Sequence, residues 1–114
     1  MATKKRRNKK KAVTVNKRLR AGSKEAKLQL LEQNPCCDIC GMEGDKEFLT
    51  LHHIYMIRWE FPTDVRRCVL LCPNCHYKLH HRYDQYLDEL FEENPDTDFM
   101  FIYEEIKKEM QEEE

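Results

Sequence analysis

The sequence predicts a small α+β fold. Three observations carry that prediction. Two short apolar runs bounded by turn residues, Glu47–Ile54 and Cys68–Leu71, have strand character. Helical periodicity then sets in at Pro73 and continues to about Glu93. Two Cys-x-x-Cys pairs, Cys37 with Cys40 and Cys72 with Cys75, sit where they can staple these elements together. A staple is expected on composition, because 36% charged and 40% hydrophobic residues in 114 positions leave little core. The expected layout is a basic flexible arm at 1–22, the stapled domain with its leading helix at 23–93, and an acidic amphipathic helix or tail at 94–114.

Charge is strongly segregated. Residues 1–27 hold twelve Lys/Arg against Glu25 alone, and residues 84–114 hold thirteen Asp/Glu against Lys107 and Lys108. The arm, with Lys4, Lys5, Arg6, Arg7, Lys9, Lys10 and Lys11, has too few apolar groups to fold alone and suits phosphate binding with release of counterions. The acidic end is a candidate for a protein partner or for folding over the arm. No apolar run approaches a membrane span, and no apolar segment follows the first lysines, so the expected setting is a reducing cytoplasm, or a nucleus if the cell has one. There, paired cysteines bind metal more often than they form disulfides.

Ser23 is placed to cap a helix running to about Gln33, with Ala26, Leu28, Leu30 and Leu31 on its apolar side, and Asn34-Pro35 ends it. Gly44-Asp45 turns the chain into the first strand, and residues 54–67 read as a loop. Pro73 suits the first turn of the long helix, and Asn94-Pro95 stops it. Phe99, Ile102, Tyr103, Ile106 and Met110 mark a last amphipathic helix.

Cys37, Cys40, Cys72 and Cys75 provide the four thiolates of a closed tetrahedral zinc site, while Cys36 is one residue out of step and is read as a packed or free thiol. Of the five histidines, His52, His53, His76 and His80 are the ones left to assign around this scaffold. His76 and His80 are four apart on a predicted helix and share a face, which suits a second metal. His52 and His53 are adjacent at a strand end, so their side chains point to opposite sides, and one can join the metal while the other faces a substrate. Other motif readings fit less well. Cys72-Pro-Asn-Cys75-His76 has the pattern of a c-type haem attachment but leaves the first cysteine pair unexplained. The His-x-Glu of zinc deaminases is absent, and the histidines follow their cysteines too closely for a two-Cys, two-His finger.

The order Cys-x-x-Cys, a strand ending in His-His-Ile, Val-Leu-Leu and then Cys-Pro-Asn-Cys-His-x-x-x-His resembles the HNH endonuclease family over roughly residues 36–81. The resemblance implies a zinc-stapled ββα-metal domain, flanked here by N- and C-terminal helices. It also implies DNA as partner, His52, His76 and His80 as ligands of a catalytic divalent cation (Mg2+, Mn2+, Ni2+ or Zn2+), and His53 as general base. The family usually carries an asparagine five residues before the third cysteine; Arg67 stands there, with Asp64 the alternative brace if the loop register shifts. The usual Gly-Gly of the intervening loop is replaced by Arg58-Trp59-Glu60-Phe61-Pro62. Arg67 is assigned a catalytic role on a phosphate, since a guanidinium forks onto two oxygens, and Arg58 and Arg66 are assigned to nucleic-acid contact. The alternative function is a zinc-stabilised binding module for nucleic acid or protein, with little or no activity.

Overall fold

The computed structural model describes residues 19–113. The expected phosphate-binding residues of the arm, Lys4, Lys5, Arg6, Arg7, Lys9, Lys10 and Lys11, lie outside them. Residues 19–22 make a turn whose Leu19 carbonyl accepts from both Thr63 N (2.8 Å) and Thr63 Oγ1 (2.6 Å).

Helix α1 (Ser23–Gln33) starts from Gly22, whose φ of 86° is the left-handed conformation a glycine adopts without steric cost. Ser23 is therefore not the cap. It is the first helical residue, and its hydroxyl lies 3.1 Å from Thr63 Oγ1. Ala26 is buried, but Leu28 is exposed and drops out of the expected apolar face. Asn34 is extended ahead of Pro35 and ends the helix as expected.

The first strand is shorter than its apolar run. Asp45 Oδ1 accepts from Glu47 N and Phe48 N at 3.0 Å each, which holds the start of the run in a turn and leaves β1 (Thr50–His53). It pairs antiparallel with β2 (Cys68–Leu71), in the register Thr50↔Leu71, Leu51↔Leu70, His52↔Val69, His53↔Cys68. The link between them contains two 3-10 turns, Ile57–Trp59 and Val65–Arg67. Between those turns Glu60 takes a φ of 68°, a conformation that favours glycine, in the stretch where a Gly-Gly is the expected pattern.

Helix α2 (Pro73–Glu93) begins and ends where Pro73 and Asn94 dictate. Cys72 is its cap, with Sγ accepting from Cys75 N at 3.4 Å. Helix α3 (Phe99–Glu112) is capped by Asp98, which accepts from Met100 N and Phe101 N. Its buried residues Phe99, Tyr103, Ile106 and Met110 follow helical spacing, so this helix is a wall of the core and not a separate tail. Tyr103 donates to Asp38 Oδ2 (2.7 Å) and Gln111 to the Ile39 carbonyl (2.8 Å), which ties the helix to the first cysteine turn. No helix among the described residues is long and apolar enough to cross a membrane.

The core has an aromatic end away from the cysteines. Trp59 stacks on Phe91 with centroids 4.7 Å apart, and Phe99, 1% exposed, packs against Trp59 and Tyr55 at 4.8 and 5.6 Å. Phe99→Ala is expected to cost roughly 3–5 kcal/mol. Denaturant unfolding at fixed metal content measures it, and a loss below about 1 kcal/mol, on the order of an exposed-site change, would show that this cluster is not a main support.

Candidate active site and metal centres

The first cysteine pair is set by a tight turn. Cys37 N donates to the Met42 carbonyl, Gly41 N to the Cys37 carbonyl, and Gly41 takes a φ of 78°. Asp38 N donates to the Leu70 carbonyl (2.8 Å) and fastens this turn to β2. The second pair comes from the start of α2. The result is four Sγ atoms within 4.8 Å of one another, from Cys37, Cys40, Cys72 and Cys75, all buried except the half-buried Cys40. None of the six cysteines forms a disulfide. Cys36 lies outside the quartet, and burial pushes the Cys68 thiol up to about 11.

In the bare quartet the sulfurs compete for charge. Burial and the neighbouring sulfurs push Cys75 up, and burial pushes Cys40 up in the same way. Burial opposes ionisation of Cys37 too, but hydrogen bonds from the backbone at Cys40, Cys72 and Ile39 outweigh it and hold that thiol low. A divalent cation removes this conflict, because it stabilises all four thiolates together. The donor set, four sulfurs with no open position, suits a metal such as zinc.

Three imidazoles form the second cluster. His52, His76 and His80 offer ring nitrogens within 4.8 Å of one another, with centroids 4.7 to 5.2 Å apart. His52 is 2% exposed, and its Nδ1 is a buried polar atom without a hydrogen-bond partner. Burial holds His52 well below its ordinary value, with His76 and His80 adding to the effect, and burial takes His76 down to about 4. Three neutral rings whose nitrogens lie this close together could hold a metal ion.

Their tautomers follow from the hydrogen bonds. Thr50 Oγ1 gives its one proton to the Leu71 carbonyl (2.8 Å), so at 2.7 Å from His76 Nδ1 it accepts from Nδ1–H and leaves Nε2 unprotonated. Asp84 Oδ1 accepts from His80 Nδ1 at 2.8 Å, with the same result. His53 is turned away from this cluster, with Nε2 3.2 Å from Thr63 Oγ1. Thr63 has already given its proton to the Leu19 carbonyl, so it accepts from His53 Nε2–H, and the lone pair of His53 is on Nδ1. Burial lowers the His53 pKa, and the charge of Arg20 lowers it further.

His52, His53, His76 and His80 line one cleft of about 780 Å3. Its charged lining residues are Arg20, Lys24, Lys27 and Arg58, with no carboxylate among them. Arg58 is neutralised by Asp84 (3.1 Å) and Asp88 (2.9 Å). Arg66 and Arg67 lie outside the lining of this cleft. The Arg67 guanidinium sits 4.1 Å over the Tyr55 ring, which offers an exposed cation a π face. Arg66 pairs with Asp64 at 3.0 Å, which in turn leaves Asp64 no part in bracing His53.

Residues 37–82 match the family model for HNH endonuclease. That segment resembles an HNH domain. No curated protein and no solved structure matches the chain. The HNH match runs from the first quartet cysteine past His80, so it contains both clusters, whereas the leading helix and α3 lie outside it. Within the matched segment, sequence reasoning missed Thr50 and Thr63; just beyond it, Asp84 was missed. Asp84 was accessible, four residues after His80 on a predicted helix. The threonines carry no local signal, since their partners are set by the sheet and by the leading turn.

A full chain washed with EDTA is expected to retain about one zinc, by elemental analysis, on the quartet. A Cys37→Ser chain is expected to lose it and to unfold at lower denaturant. Zinc-free protein with unchanged stability would overturn the quartet as a structural centre.

Proposed function

We propose that this chain is a metal-dependent endonuclease that hydrolyses DNA phosphodiester bonds. The reading rests on one observation above all. Ring nitrogens of three imidazoles converge within 4.8 Å, and a fourth imidazole bonded through Nε2 lines the same cleft, which is lined by cations and free of carboxylates. In this reading His52, His76 and His80 hold the divalent ion and the cysteine quartet holds zinc. The chemistry a divalent cation supplies on these three rings is polarisation of the phosphate and stabilisation of charge on the leaving 3′ oxygen.

His53 acts as the base. Its Nδ1 takes a proton from water as the water oxygen bonds to phosphorus. The P–O3′ bond breaks, solvent protonates the 3′ oxygen, and the products are a 5′-phosphate and a 3′-hydroxyl. Thr63 is the positioning residue: it accepts from Nε2–H and so keeps the lone pair on Nδ1. Thr63 thus stands in for the brace that neither Arg67 nor Asp64 provides. Asp84 and Thr50 orient His80 and His76.

Nicking of supercoiled plasmid with Mg2+, Mn2+ or Ni2+ tests the reading. His53→Ala is expected to lower the rate about 10²–10⁴-fold, the usual contribution of a placed base. An unchanged rate in that variant would remove His53 from the role, and no nicking by the parent with any ion would leave the binding module as the function.

Thr63→Val should slow nicking, and Thr63→Ser should restore it. A long-range 1H–15N spectrum should show the His53 Nε2–H tautomer in the parent and a mixture in Thr63→Val. The same tautomer in both proteins would remove Thr63 from its role.

A further inference from the structure

We propose that the leading segment forms a phosphate-binding row, in which Arg20, Lys24 and Lys27 hold the backbone of a DNA strand lying in the histidine cleft. The row deepens the endonuclease reading and adds residues outside the matched 37–82 segment.

The argument starts from how charge is sorted on this segment. Helix α1 carries Lys24 and Lys27 but also Glu25 and Glu32, and only the lysines line the cleft. Lys24 and Lys27 are three apart, so they are neighbours on one helix face. Arg20 joins them from the preceding turn. Arg58, the other cation of the lining, is already matched by Asp84 and Asp88, so the net charge facing the cleft comes from the row. Three like charges around one cleft repel each other, and an anionic ligand that spans them relieves that repulsion.

The row is also held in place. Ala26 is buried, Leu30 and Leu31 pack on the core, and Ser23 and Leu19 are bonded to Thr63. Thr63 in turn bonds His53. Row and base therefore share one anchor, and a phosphodiester backbone lying along the row passes His53 in a constrained position. Backbone phosphates carry no base identity, so the row positions the strand and does not read its sequence.

The test is fluorescence anisotropy of the full chain on a labelled DNA duplex over a series of salt concentrations, without added divalent ion. Three variants are compared with the parent. Arg20→Gln/Lys24→Gln/Lys27→Gln removes the row. Arg20→Lys/Lys24→Arg/Lys27→Arg keeps its charge. Lys78→Gln/Arg82→Gln/Lys108→Gln removes the same charge elsewhere. Row removal is expected to flatten the slope of log affinity against log salt by about one for each phosphate no longer neutralised, roughly three in all. The charge-keeping variant should follow the parent, and the distant variant should keep nearly the parent slope. Equal losses in the row and distant variants would overturn the proposal, as would parent-like binding after row removal. Far-UV circular dichroism of each variant separates a binding loss from unfolding. Plasmid nicking by the parent is read in parallel. Binding through the row without nicking would sink the hydrolytic reading and keep the row, whereas nicking with row-independent binding would do the reverse.

Discussion

Convergence of four sulfurs is the constraint on which the other parts depend. Cys37 and Cys40 come from a turn bonded to β2 through Asp38 N, and Cys72 and Cys75 come from the cap and first turn of α2. A metal at this point joins segments more than thirty residues apart, and structural zinc in small domains contributes on the order of 10–16 kcal/mol of apparent binding energy. That exceeds the net stability of most domains, so a chain with so few core residues can fold around it. The same turn takes hydrogen bonds from Tyr103 and Gln111 of α3, and the last helix is referenced to the same centre.

The second level of organisation is proton placement. Each threonine beside a histidine has given its proton to a backbone carbonyl, Thr50 to Leu71 and Thr63 to Leu19. Both are thereby obliged to accept from the ring. Because they bond different nitrogens, Nδ1 in His76 and Nε2 in His53, the lone pair is left on Nε2 in one ring and on Nδ1 in the other. Two hydroxyl groups thus set opposite tautomers in two rings of one cleft.

Much of this was legible in the sequence, because the signals are local. The cysteine spacing, the His76/His80 pair, Pro73 and Asn94-Pro95 each act within a turn or two of the chain, and the corresponding elements lie where those residues imply. What was not legible depends on distant partners. Thr63 is forty-four residues from Leu19 and Thr50 is twenty-six from His76, separations given no periodic trace. Ser23 has the look of a cap because nothing in the sequence shows Thr63 competing for its hydroxyl. The contact of the Arg67 guanidinium with the Tyr55 ring likewise joins residues with no local signal for each other. The first strand falls short of its apolar run because Asp45 captures two amides at its start.

Helix α2 has a mechanical property that follows from its ends. Cys75 is in the metal quartet, and Phe91 is stacked on Trp59 about 24 Å further along, at 1.5 Å per residue. His76, His80 and Asp84 lie between those two points. The helix is therefore a beam clamped at both ends and not a lever fixed at one. A cantilever would turn a small slackness at its root into a large swing further out, whereas a doubly clamped beam can only bow. His76 and His80 thus sit on a span whose two ends are both held.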